Sequence, residues 1–92
     1  MEWKIGNVTI KNQVVLAPMA GYTNKAFRQI AEEMGAGLTV TEMISSEALV
    51  RENKKTLSMI DIADEKSVVA VQIFGSDPKT MASAAKILCE TY

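Results

Sequence analysis

Apolar and polar positions repeat one plan along most of the chain: a short apolar run, a turn of small residues, then a helical stripe. The clearest run is Val68-Val69-Ala70-Val71-Gln72-Ile73-Phe74, interrupted only by Gln72. A run this apolar and rich in β-branched side chains reads as a strand. Gly75-Ser76 turns this run, and Asp77-Pro78 predicts a helix with Asp77 as N-cap and Pro78 as its first residue. Its stripe is Met81, Ala84, Ala85 and Leu88.

The same plan precedes it. The run Gln13 to Leu16 reads as a strand covered on both faces, and Thr23 or Asn24 caps a helix after it. That helix carries Ala26, Phe27, Ile30, Ala31 and Met34 on one side, with Lys25, Arg28, Glu32 and Glu33 opposite. Gly35 ends it at the C′ position, and Leu38 to Met43 follow as a strand. Ser45 or Ser46 caps a short helix through Arg51, with Glu47 in its first turn. Asn53 to Thr56 breaks that helix, and Leu57 to Ile62 reads as a second short helix or an irregular link. Asp64 to Ser67 reads as a polar turn. Ahead of all this, Trp3 to Ile10 reads as a tight hairpin on Gly6-Asn7, with Lys11-Asn12 turning into the first run.

A hairpin followed by three strand–helix units predicts an α/β fold with a parallel sheet and right-handed crossovers. Three parallel strands need more helices or the rest of a barrel to cover them. A TIM (β/α)8 barrel takes about 250 residues, so the chain reads as an incomplete barrel of about three units. The chain ends at Tyr92, where a fourth strand is due.

Composition narrows the field of functions. Hydrophobic residues make up 48% and charged residues 23%, a globular balance. A net charge of -1 argues against a stand-alone nucleic-acid module, and Arg51, Lys54 and Lys55 read as a solvated face. With no histidine there is no Ser-His-Asp triad and no imidazole metal ligand. One cysteine, Cys89, suits a reducing compartment. With Ile87 and Leu88 beside it, it reads as a buried structural thiol. No apolar run approaches the roughly 20 residues that span a bilayer, and no signal core opens the chain. Together these predict a cytoplasmic protein without a membrane or metal partner.

The residues that could carry chemistry sit at the ends of the runs, where parallel α/β sheets hold ligands. Gln72 is a side-chain amide among valines, and leaving it unpaired there costs about 1–3 kcal/mol. It offers donor and acceptor together, as the pyrimidine edge of a flavin requires; bonding to neighbouring backbone or water is the simpler alternative. The turn Ala17-Pro18-Met19-Ala20-Gly21-Tyr22-Thr23 brings a fixed φ and small residues to the end of the first run. It suits close approach to a flat ligand, or serves as an ordinary βα turn with Met19 in the core. Glu42 either holds a substrate, orients a loop, or is a plain capping or ion-pairing acid. Thr39 and Thr41 read as strand formers. Gly35-Ala36-Gly37 follows a helix rather than a strand, so a dinucleotide fingerprint lacks its context.

Taken jointly, Val15 to Asn24 with Phe27-Arg28, Gly35 to Leu38, Glu42-Met43-Ile44-Ser45-Ser46, and Val71 to Pro78 closely resemble the tRNA-dihydrouridine synthases, in particular the bacterial B-type branch. The resemblance implies that residues 1–92 are the N-terminal part of a flavin-binding TIM-barrel domain, without the later barrel half and the helical domain. It implies FMN as cofactor, NADPH as reductant and tRNA as partner. The family reduces the C5–C6 bond of uridine, with hydride to C6 and a proton to C5 from a cysteine acid. The base leaves its stack to react. By resemblance, Pro18, Met19, Ala20 and Gln72 contact the flavin. The acid lies beyond Tyr92 and is not Cys89, so the chain alone is expected to be inactive. Two other readings remain: another FMN barrel of the dihydroorotate or dihydropyrimidine dehydrogenase type, and a non-catalytic partial barrel that associates through open sheet edges.

Overall fold

The computed structural model describes residues 1–60, 62 and 68–91. β1 (Trp3–Ile5) and β2 (Val8–Ile10) form the expected antiparallel hairpin, with Ile5 opposite Val8 and Gly6 at a φ of 60°. Asn12 ties this hairpin to the body. Its backbone carbonyl accepts from Trp3 Nε1 at 2.6 Å, and its side chain donates to the Gly35 carbonyl at 2.8 Å.

Parallel strands follow, as the pattern predicts. β3 (Val15–Leu16), β4 (Leu38–Val40) and β6 (Val68–Ala70) lie side by side in that order, and β5 (Ile44–Ser45) pairs with β7 (Ile73–Phe74). Among the described residues four helices connect and cover them: α1 (Lys25–Glu33), α2 (Ser46–Val50), α3 (Lys54–Met59) and α4 (Pro78–Thr91). The result is a mixed α/β chain of successive βα units. The predicted Asp64–Ser67 turn lies outside the described residues.

The predicted strands 38–43 and 68–74 are each split in two. Val40 pairs with Ala70 and Ile44 pairs with Ile73, so residues 41–43 on one strand face only 71–72 on the other. This is a β-bulge, which bends the strand and re-aims the side chains at the insertion. Thr41 N–H donates to the Ala70 carbonyl at 2.9 Å and Ile44 N–H to the Gln72 carbonyl at 2.9 Å, so pairing resumes on both sides.

The core lies beyond the bulge. Ile44, Leu49, Ile60 and Ala84 are buried against one another, backed by Met59, Val71, Ile73, Ile87 and Leu88. Each large side chain here contributes on the order of 1.5–3 kcal/mol by leaving water. At the edge of this core, a Cβ on Gly75 would collide with Ser46 Oγ and crowd Met81 Sδ. Gly75→Ala is therefore expected to cost about 1–3 kcal/mol, as overpacking does. A shift in urea midpoint would measure it, and an unchanged midpoint would show that Ser46 can turn away.

Capping chemistry sets the helix starts. Asn24 is the N-cap of α1, accepting from Phe27 N–H at 2.9 Å, and Ser45 caps α2 by accepting from Ala48 N–H at 3.3 Å. Asp77 precedes Pro78 and accepts from the Thr80 hydroxyl at 2.7 Å and from Lys79 N–H at 3.3 Å. These two bonds, the hydroxyl first, hold its carboxyl below the usual carboxylate range.

Four expectations are corrected. The break before α3 is not the whole of 53–56: Asn53 alone is non-helical and caps α3 by accepting from Thr56 N–H at 3.2 Å, so Lys54 to Thr56 form its first turn. The run Gln13 to Leu16 is not covered on both faces, since Val14 and Val15 are exposed, Val14 at 59%. α1 is turned over relative to its stripe. Phe27, Ile30 and Met34 face out, Met34 at 84% exposure, while Arg28 from the polar side is 2% exposed. Arg28 tolerates this because its Nη1 donates to the Thr23 carbonyl at 2.6 Å. Finally, Cys89 is exposed rather than buried, because α4 buries its Ala84 side against the core and Cys89 falls outside that contact.

No helix among the described residues is long and apolar enough to cross a membrane.

Candidate functional site

The turn after β3 is held by a side chain that the sequence pattern places elsewhere. Thr23, one of two candidate caps for α1, is fully buried and folds back onto Met19. Its hydroxyl accepts from Met19 N–H at 3.0 Å and donates to the Met19 carbonyl at 3.1 Å. That carbonyl also accepts the N–H groups of Tyr22 and Thr23 at 2.9 and 3.0 Å. Pro18, Met19, Ala20 and Gly21 stay on the surface. Gly21 sits at a φ of 82°, a left-handed conformation that side chains rarely adopt. The turn is thus pinned from behind and open in front.

The bulge meets this turn from the neighbouring strand. Glu42 Oε1 accepts Gly21 N–H at 2.5 Å. Of the readings open for Glu42, the loop-orienting one matches this bond. One residue earlier, the fully buried Thr41 hydroxyl donates to the Glu42 carbonyl and accepts Gln72 N–H, both at 3.0 Å. Thr41 and Glu42 therefore connect the Pro18–Gly21 turn to Gln72 by bonds from adjacent residues. Gln72 lies in the gap between β6 and β7. Its side-chain Oε1 is buried without a hydrogen-bond partner among the described residues. A buried carbonyl left unpaired is costly and calls for a missing donor.

Sequence reasoning places Pro18, Met19, Ala20 and Gln72 at strand ends; in the structure Pro18, Met19 and Ala20 follow β3, and Gln72 sits between β6 and β7. It misses Thr23 and Thr41. A signal for Thr41 does exist: Thr39 and Thr41 share one face of a strand, and like Gln72 they are polar groups within an apolar pattern.

Hollows adjoin these elements among the described residues. One, of about 320 Å³, is lined by Asn24, Lys25, Arg28, Glu42, Ser58 and Met59, next to the turn. Another, of about 350 Å³, is apolar and lies between α4 and the strands β6 and β7, with Cys89 on its wall. Cys89 thus belongs to the helix side of the sheet, not to the turn.

The family model described as dihydrouridine synthase (Dus) matches residues 15–92. This chain belongs to the dihydrouridine synthase family. The tRNA-dihydrouridine synthase B of Escherichia coli is 51% identical over 89 residues, covering 96% of this chain and 27% of that protein. A probable tRNA-dihydrouridine synthase of Treponema pallidum is 46% identical over 87 residues, 95% of this chain and 26% of that protein. The tRNA-dihydrouridine synthase B of Salmonella typhimurium is 47% identical over 88 residues, 96% of this chain and 27% of that protein. The chain therefore spans about a quarter of the length of these dihydrouridine synthases. The turn, the bulge and Gln72 all lie inside the segment matched to the family.

Proposed function

We propose that this chain forms the N-terminal part of a flavin-binding TIM-barrel domain in an enzyme that reduces uridine to 5,6-dihydrouridine in tRNA, with FMN as cofactor and NADPH as reductant. The observation that carries the cofactor reading is the Oε1 of Gln72, buried between β6 and β7 with no partner among the described residues. The pyrimidine edge of a flavin carries N–H donors as well as carbonyl acceptors, so it can satisfy an amide that the protein leaves unpaired. Across the bulge, Pro18, Met19 and Ala20 offer a surface of small groups and backbone to a flat ring. When bound, FMN supplies two-electron redox chemistry between NADPH and the uracil ring. The part of this chain is to orient: Gln72 fixes the polar edge, and the 18–20 turn limits where the ring can lie. Cys89, on the helix side of the sheet, is not proposed as the acid.

The barrel reading draws support from the apolar groups this chain leaves uncovered. Val15 on edge strand β3 and Val14 just before it, and Phe27 and Ile30 on α1, are exposed. Further βα units of a closed barrel would cover such faces. A tRNA substrate implies a cytoplasmic setting.

The test is an assay of the full-length protein carrying this chain, with FMN, NADPH and unmodified tRNA. Mass spectrometry of the recovered nucleosides is expected to find uridine converted to dihydrouridine. Turnover of free dihydroorotate or dihydropyrimidines with no change in tRNA would overturn the reading in favour of another FMN dehydrogenase.

A further inference from the structure

We infer that Thr41 and Glu42 are positioning residues: the bulge they form clamps the two walls of the proposed cofactor site, Gln72 on one side and the Pro18–Gly21 turn on the other. The inference rests on the cofactor reading above for its consequence, but the clamp itself is a matter of two hydrogen-bonding groups on adjacent residues.

The geometry is economical in residues. The extra residue at 41–43 breaks strict strand alternation and re-aims the side chains at the insertion. The bulge lets the Thr41 hydroxyl reach the Gln72 N–H at 3.0 Å while Glu42 Oε1 reaches Gly21 N–H at 2.5 Å. The Thr41 hydroxyl uses both its capacities, since its proton goes to the Glu42 carbonyl at 3.0 Å. That bond stiffens the peptide between the two clamping groups. On the far side, Glu42 shares the polar hollow with Lys25 and Arg28. Gly21, the residue that Glu42 grips, is the one in the turn with a left-handed φ. The grip therefore acts where the turn has most freedom to relax. A flat ligand gripped by separate chain segments gains affinity when their spacing is set before it arrives.

The bonds differ in burial, which makes them separable. The Glu42–Gly21 bond is exposed, so water replaces it in Glu42→Ala and the fold is retained. The Thr41 hydroxyl is buried, and Thr41→Ser keeps it while Thr41→Val removes it.

In the full-length protein, Glu42→Ala and Thr41→Val are each expected to weaken FMN binding about tenfold and to change the visible band shape of the bound flavin. Thr41→Ser restores both. Without cofactor, backbone amide exchange is expected to quicken at Gly21 in Glu42→Ala and at Gln72 in Thr41→Val. Parental affinity, band shape and exchange in both variants would overturn the inference, as would a Thr41→Ser variant impaired as much as Thr41→Val. Should Thr41→Val not fold, Glu42→Ala decides alone. If the parent protein takes up no FMN, the cofactor reading falls, and amide exchange still decides whether the clamp exists.

Discussion

Gln72→Leu is expected to leave the fold as stable as the parent, or up to about 1 kcal/mol more stable, while weakening FMN binding about 10–100-fold. The two effects have one cause. Gln72 Oε1 is buried with no partner among the described residues, so in the absence of cofactor it carries an uncompensated desolvation cost. Leucine has a similar volume and no polar atom, so the substitution removes that cost. It also removes the donor and acceptor offered to the flavin edge, leaving flavin polar groups unpaired in the complex. The backbone is unaffected in kind: Gln72 N–H still meets Thr41 Oγ1, and its carbonyl still accepts Ile44 N–H at 2.9 Å. Urea unfolding and a flavin titration on the same preparation measure both sides. A variant that melts clearly lower yet binds FMN normally would show that Gln72 is there for the fold.

Arg28→Ala is expected to destabilise the chain by about 2–4 kcal/mol. Arg28 is 2% exposed, and its guanidinium donates from Nη1 to the Thr23 carbonyl at 2.6 Å. A hydrogen bond from a charged donor contributes about 1.5–3 kcal/mol, and the buried stem adds packing that alanine cannot replace. The loss reaches the turn, because the same Thr23 holds Met19 through its hydroxyl. FMN affinity should therefore fall together with stability, which separates Arg28 from Gln72. Arg28→Lys is expected to recover only part of the loss, since an ammonium on a flexible stem lacks the fixed fork of the guanidinium. Chemical denaturation of the three proteins is the check. A loss below about 1 kcal/mol for Arg28→Ala would mean that the buried cation is merely tolerated.

Arg28 also shows where reading the sequence goes astray. Helical spacing correctly sorts α1 into an apolar and a polar side, but spacing does not say which side faces the protein. Phe27, Ile30 and Met34 look like the inner stripe, and in this chain they face out. A barrel would give them a partner; here the inward position goes to an arginine that finds a carbonyl. Cys89 fails for a related reason. Its neighbours Ile87 and Leu88 pack against the core, yet Cys89 lies on the wall of the apolar hollow beside it and stays exposed.

What the sequence by itself determines is local. Val68 to Ala70 and Ile73-Phe74 are extended, Gly6-Asn7 turns, and Asn24, Ser45, Asn53 and Asp77 start helices because their side chains satisfy backbone N–H groups close by. The placing of Pro18, Met19 and Ala20 after the first strand follows from the same local pattern. Only the tertiary structure decides how those strand ends are joined. The bulge at 41–43 depends on the register between two strands about thirty residues apart, which a single strand's pattern does not encode. That register turns Thr41 from a strand former into the partner of Gln72, and Glu42 from an unassigned acid into the partner of Gly21. Hydrogen bonds between distant segments form only where the fold brings the groups together, and here they link the turn to the glutamine.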